Sequence, residues 1–120
     1  MHRYGGKRYG FSKKHKLTGK KQIGELFRFG KYETYGFLRF RYLPKSQGYI
    51  RVVISISKRV GNSPERNRLK RLIREALRLS QCLDRISHDW GVYVTSPLYR
   101  KPTLSEMQDH IGQFIASLPQ

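Results

Sequence analysis

The chain has 120 residues, enough for one domain with a modest core, and carries 25 Lys and Arg against 8 Asp and Glu, a formal net charge of +17. Charge of that size repels itself and is tolerated when the usual partner is a polyanion, nucleic acid first and an anionic membrane surface second. Hydrophobic residues make up 38% of the chain and aromatics 12%, more than disordered basic tails usually hold, so most of it should fold.

Residues 1–16 contain Arg3, Lys7, Arg8, Lys13, Lys14 and Lys16 and no acid, with Gly5, Gly6 and Gly10 loosening the backbone. They read as a basic, flexible N-terminal arm, leaving 17–120 as a single domain. This start has no apolar run and is not a signal peptide, and no stretch approaches the length of a membrane span. The expectation is a soluble cytoplasmic protein with no membrane partner and no obligate protein partner.

A short helix follows, with Thr18 as N-cap, Ile23, Leu26 and Phe27 at i, i+3 and i+4, and Gly30 as its stop. Residues 36–43 (GFLRFRYL) alternate. Leu38, Phe40 and Tyr42 point one way, and Phe37, Arg39 and Arg41 the other. Residues 50–57 (IRVVISIS) form a second strand with Val52, Ile54 and Ile56 on its core face. The short link between the two strands predicts an antiparallel hairpin.

Gly61 and Asn62 suit a turn, Ser63 an N-cap and Pro64 the first helical position. Leu69, Leu72, Ile73, Ala76, Leu77 and Ser80 then keep the helical period. Arg66, Lys70 and Arg74 line one border of that stripe, and Asn67, Arg71 and Arg78 occupy the opposite face. Residues 90–96 (WGVYVTS) read as a third core strand, stopped by Pro97. Thr103 and Glu106 then form a T-x-x-E capping box before a final amphipathic helix through Leu104, Met107, Ile111, Phe114, Ile115 and Leu118. The order is α-β-β-α-β-α, an α+β single-domain sandwich. The two strands flanking the basic helix are candidates for parallel pairing.

The basic helix is either a solvated face or a polyanion grip. Like charges at i, i+4 and i+8 cost roughly 0.2–0.5 kcal/mol per pair, and only Glu65 and Glu75 offset them. A helix built for folding alone would gain by exchanging some for Glu. Guanidinium groups hold phosphate in a bidentate way, and Asn67 is suited to a base edge or a 2′-hydroxyl. Phe37 with Arg39 and Arg41 reads as a platform for single-stranded nucleic acid, with Phe27 or Tyr35 contributing. The alternative is that Phe37 packs under the first helix. No catalytic set is visible: the acids and the four histidines show no metal-site spacing and no nucleophile partner. The lone Cys82, among Leu77, Leu79 and Leu83, reads as an inert buried thiol.

The run Ser55, Ser57, Lys58, Arg59, Val60, Gly61, Asn62, then Arg66, Asn67, Arg68, Lys70, Arg71, Arg74 and Glu75 resembles the signature of the bacterial ribonuclease P protein subunit. Leu17, Phe27, Gly30, Asp89 and Trp90 extend the likeness. The resemblance implies a mixed sheet with a left-handed basic crossover helix, similar to the second domain of ribosomal protein S5. It implies a catalytic RNA as partner and precursor tRNA as substrate. That RNA, with Mg²⁺ held mainly by RNA, removes the 5′ leader and leaves a 5′-phosphate on the tRNA. Carried over, Lys58, Arg59, Asn62, Arg66, Asn67, Arg68, Lys70, Arg71 and Arg74 become contacts to the catalytic RNA. Phe27, Phe37, Arg39, Arg41, Ser55 and Arg59 become candidates for a leader cleft, with no catalytic or metal-binding side chain expected. The sequence departs from the family at Ile23, where an aromatic is common, and at Thr95 and Ser96, where an Arg-Lys pair is common; Arg100 and Lys101 are candidate substitutes. A ribosomal or other structural RNA-binding protein is the alternative. A DNA-binding regulator fits less well, because a strand rather than a helix precedes the basic helix. A membrane-surface protein lacks an exposed bulky wedge on that helix.

Overall fold

A computed structural model of the chain describes residues 11–119. Its elements are α1 (Lys20–Phe29), β1 (Lys31–Tyr35), β2 (Leu38–Pro44), β3 (Arg51–Ile56), α2 (Ser63–Ser80), β4 (His88–Val94) and α3 (Leu104–Ser117). The strands form one mixed sheet in the order β1-β2-β4-β3, with β3 and β4 parallel and the other pairs antiparallel.

Two expectations change here. The strands at 36–43 and 50–57 run antiparallel but do not pair, because β4 lies between them. The central place suits β4, in which Trp90, Gly91 and Val92 are all buried and neither face needs water. The hairpin is instead β1–β2. Gly36, at φ +57°, opens its two-residue turn, and a side chain there would overlap the His110 ring. β1 (KYETY) is the strand the sequence reading lacks, a short polar segment without an apolar stripe.

Helix ends also move by a residue. Gly19, not Thr18, caps α1, without a side-chain hydrogen bond. Asn62, not Ser63, caps α2: its side chain accepts from Glu65 N at 3.0 Å, and its own N–H donates to Glu65 Oε1 at 2.8 Å. The Thr103–Glu106 box of α3 forms as expected.

Leu38, Phe40 and Tyr42 of β2 and Trp90, Val92 and Val94 of β4 face the helices α2 and α3. Phe114 of α3 sits at the centre, stacked on Phe40 at 4.1 Å and edge-on to Trp90 at 4.9 Å. Leu69, Ile73, Ala76 and Leu77 bury the apolar stripe of α2, which turns its cationic side outward. Cys82 is buried, its thiol pushed up by desolvation. Asp89 is fully buried near the start of β4, and Arg51 grips it with two bonds of 2.8 and 2.9 Å.

Residues 1–10 of the expected arm lie outside the described residues. Residues 11–16, assigned to the same arm, are built onto the body. His15 is buried, its ring nitrogens engaging Ser12 and, at 3.0 Å, Asp84. Lys16 forms a parallel bridge to Val52.

The start of α3 carries a pH signature. The Arg100 guanidinium, at 3.0 and 2.6 Å, and the Thr103 N–H hold the Glu106 carboxyl down to about 2. A carboxyl depressed on folding adds stability above its unfolded pKa and loses it as pH falls through the folded value. Glu106→Gln should therefore lower the urea midpoint at pH 6. The gap from the parent chain should shrink from about pH 4.5 down toward pH 2. A gap independent of pH would mean that the ion pair contributes nothing.

Candidate nucleic-acid interface

Two surfaces carry the chemistry. The first begins where β3 ends. Lys58 and Arg59 lie exposed on a 3-10 turn, which Ser57 opens by accepting the Arg59 N–H at 3.2 Å. α2 follows and presents Asn67 and Arg71 exposed, with Lys70 and Arg74 half-buried along its flank. Three predicted contacts on this surface have structural duties. Asn62 spends its side-chain oxygen on the cap. Arg66 donates to Gly61 O at 3.2 Å and Ser63 Oγ at 3.0 Å, and Arg68 donates to Pro102 O at 3.0 Å, tying α2 to the loop before α3. The cations facing solvent with the fewest internal ties are thus Lys58, Arg59, Lys70, Arg71 and Arg74.

The second surface is the sheet face opposite Phe114, partly roofed by α1. Register lines up Tyr32, Arg41 and Gly91 in one row across β1, β2 and β4, and Arg39, Tyr93 and Ser55 in another across β2, β4 and β3. The Arg41 guanidinium lies 4.6 Å from the Phe27 ring and 5.1 Å from the Tyr32 ring. Arg39 donates to Tyr32 Oη at 2.9 Å. Phe27 also meets Tyr93 at 5.9 Å, and half of each of Phe27 and Tyr32 is open to solvent. A Cβ at residue 91 would overlap the Tyr93 hydroxyl, so glycine there lets the phenol lie against the sheet. Burial pushes this phenol up, and its oxygen lies near Arg41 without a well-formed hydrogen bond. Exposed π faces beside guanidinium groups are what unpaired bases and their phosphates engage.

Phe27, Arg39, Arg41 and Ser55 therefore share this face, and Arg59 begins at its β3 end. Phe37 does not join the aromatic cluster. It sits in the β1–β2 turn, half-buried, with its ring edge-on to His110 of α3 at 4.9 Å. It packs under the last helix, not the first. Sequence reasoning missed Tyr93 and Tyr32. The alternation of β4, with Trp90, Val92 and Val94 inward, would have turned Tyr93 outward; Tyr32 had no such signal.

The sequence model of the family described as Ribonuclease P matches residues 11–118. This chain belongs to the ribonuclease P protein family. The ribonuclease P protein component of Alkaliphilus metalliredigens is 34% identical over 70 residues, 58% of this chain and 62% of that protein. That of Desulforapulum autotrophicum is 29% identical over 111 residues, 92% of this chain and 93% of that protein. The match thus spans less than two thirds of the first relative and nearly all of the second. The ribonuclease P protein of Thermotoga maritima has the same fold, with a TM-score of 0.73 at 17% identity over 88% of this chain and 98% of that one. The mixed sheet with its three helices is the ribonuclease P protein fold.

Among the described residues no group of three or more His, Cys, Asp or Glu is placed to hold a metal ion. Arg100, one of the candidate substitutes at the end of β4, is exposed and paired with Glu106. No helix is long and apolar enough to cross a membrane among the described residues.

Proposed function

We propose that this chain is the protein subunit of a cytoplasmic ribonuclease P, acting in tRNA 5′ maturation. The turn at Lys58–Val60 and the outward face of α2 hold the catalytic RNA. The α1–sheet cleft holds the single-stranded 5′ leader of precursor tRNA. The RNA, with Mg²⁺, hydrolyses the phosphodiester, and the protein positions the leader. The observation that carries this reading is the pairing, on a ribonuclease P family fold, of a Lys/Arg-rich outward helix face with an aromatic–guanidinium cleft on the other side of the sheet.

Each surface suits its RNA. Cations spaced along a helix track phosphates of a structured RNA without needing unpaired bases. Phe27, Tyr32 and Tyr93 need an exposed base, which a leader supplies and a helix does not. Arg41, partly exposed and lying over the Phe27 and Tyr32 rings, is held in place for a phosphate.

The test compares the assembled complex on precursors with a long leader and with a one-nucleotide leader. Phe27→Ala and Arg41→Ala should each weaken long-leader binding about tenfold, as expected for a lost stack or its partner cation. Binding of the one-nucleotide precursor should be nearly unchanged. Equal losses on both substrates would remove the leader from this cleft.

A further inference from the structure

The loop 95–103 is not used by either surface. It runs from the end of β4 to the cap of α3 and is anchored at several points. Pro102 is buried and accepts the Arg68 guanidinium, Leu98 is half-buried against the core, and Arg100 is clamped by Glu106. Between these anchors Tyr99 stands completely in solvent. A tyrosine held out by an otherwise fastened loop has little backbone entropy left to lose on stacking, and only two side-chain torsions to fix.

Two open grooves meet at this residue. One, of about 430 Å³, is lined by Phe37, Arg39 and Thr95. The other, of about 410 Å³, is lined by Val60, Arg68 and Lys101. Leu98, Tyr99, Arg100 and Pro102 are common to both. Arg39, on the sheet face of the cleft, thus opens into the first groove, and the 3-10 turn before α2 borders the second. The rim is cationic at both ends, while Glu65 and Glu106, the acids that line it, are tied up as helix caps.

We infer that Tyr99 is a second stacking platform for the precursor's 5′ leader, taking an unpaired nucleotide beyond the α1–sheet cleft, with Arg39 and Lys101 on its phosphates. This rests on the subunit reading above. An exposed ring flanked by cations suits single-stranded RNA, and the groove that reaches Tyr99 shares Arg39 with the cleft. The leader is therefore the strand that this platform fits.

The experiment measures affinity of the reconstituted complex for precursors with a graded series of leader lengths, using the parent protein, Tyr99→Ala and Tyr99→Phe. Tyr99→Ala should weaken binding about five- to tenfold once the leader is long enough to reach the loop, and not at one nucleotide. Tyr99→Phe, which keeps the ring, should behave like the parent. Assembly with the catalytic RNA alone should be the same for all three proteins. Parent-like binding by Tyr99→Ala at every length would overturn the inference. So would an equal loss on the one-nucleotide substrate, or weaker assembly, which would give the ring to the catalytic RNA. If the parent protein raises substrate affinity at no leader length, it is the subunit reading that fails, not this one alone.

Discussion

Replacing Lys70, Arg71 and Arg74 together by alanine is expected to produce the largest loss of affinity for the catalytic RNA. These side chains lie outside the buried stripe of Leu69, Ile73, Ala76 and Leu77, and no internal hydrogen bond or ion pair of theirs appears among the described residues. Each cation placed on a phosphate releases counterions, with a slope in log affinity against log salt of about 0.7–0.9 per contact. Three lost contacts should flatten that slope by about two units or slightly more. Thermal unfolding should be unchanged or slightly improved, because like charges at i, i+4 are removed. Arg66 and Arg68 are poorer choices for this test. Their bonds to Gly61, Ser63 and Pro102 would mix lost RNA contacts with a loosened helix start. A full salt slope in the folded triple variant would reduce the α2 charge to a solvated face.

The second large effect concerns the fold itself. Phe114→Ala should cost about 3–5 kcal/mol, in the range for aromatic truncation in a closed core. Its ring is fully buried and touches Tyr35, Phe40, Tyr42 and Trp90, so it joins α3 to β1, β2 and β4 at once. No nearby side chain is free to collapse into the space, since Phe40, Trp90 and Met107 are themselves buried and packed. Against a total of roughly 5–15 kcal/mol for a domain, this loss leaves little margin. Urea unfolding of the parent and variant would measure it. A cost below about 1 kcal/mol, well under the usual range, would mean that α3 is not seated as described.

Much of this was legible from residue order. The period of Leu69 to Leu77 located α2, and the alternation of Leu38, Phe40 and Tyr42 put Arg39 and Arg41 on the opposite face. The capping box at Thr103 opened α3. What failed was what local pattern does not encode. A five-residue connection between Pro44 and Ile50 looks like a hairpin link, but strand pairing is decided by which strand can be buried on both faces, and that is β4. β1 is amphipathic only in polar groups. Its inward Glu33 is satisfied by the hydroxyls of Tyr35 and Tyr42 and by that of Ser117, 84 residues away at the end of α3. Phe37 kept the parity of its strand on paper, yet the turn at Gly36 rotates it onto His110. The role proposed for the loop around Tyr99 depends on two grooves that only the folded chain brings together.

The central proposal is that this protein assists an RNA catalyst and does not itself cut. The direct measurement is cleavage of a precursor tRNA at low Mg²⁺ by the catalytic RNA of the source organism, by purified RNA-free protein, and by the two together. The account predicts no cleavage by the protein, slow cleavage by the RNA, and strong stimulation on mixing, with product tRNA bearing a 5′-phosphate. Robust metal-dependent cleavage by the protein alone, or an RNA reaction that the protein leaves unchanged, would contradict it.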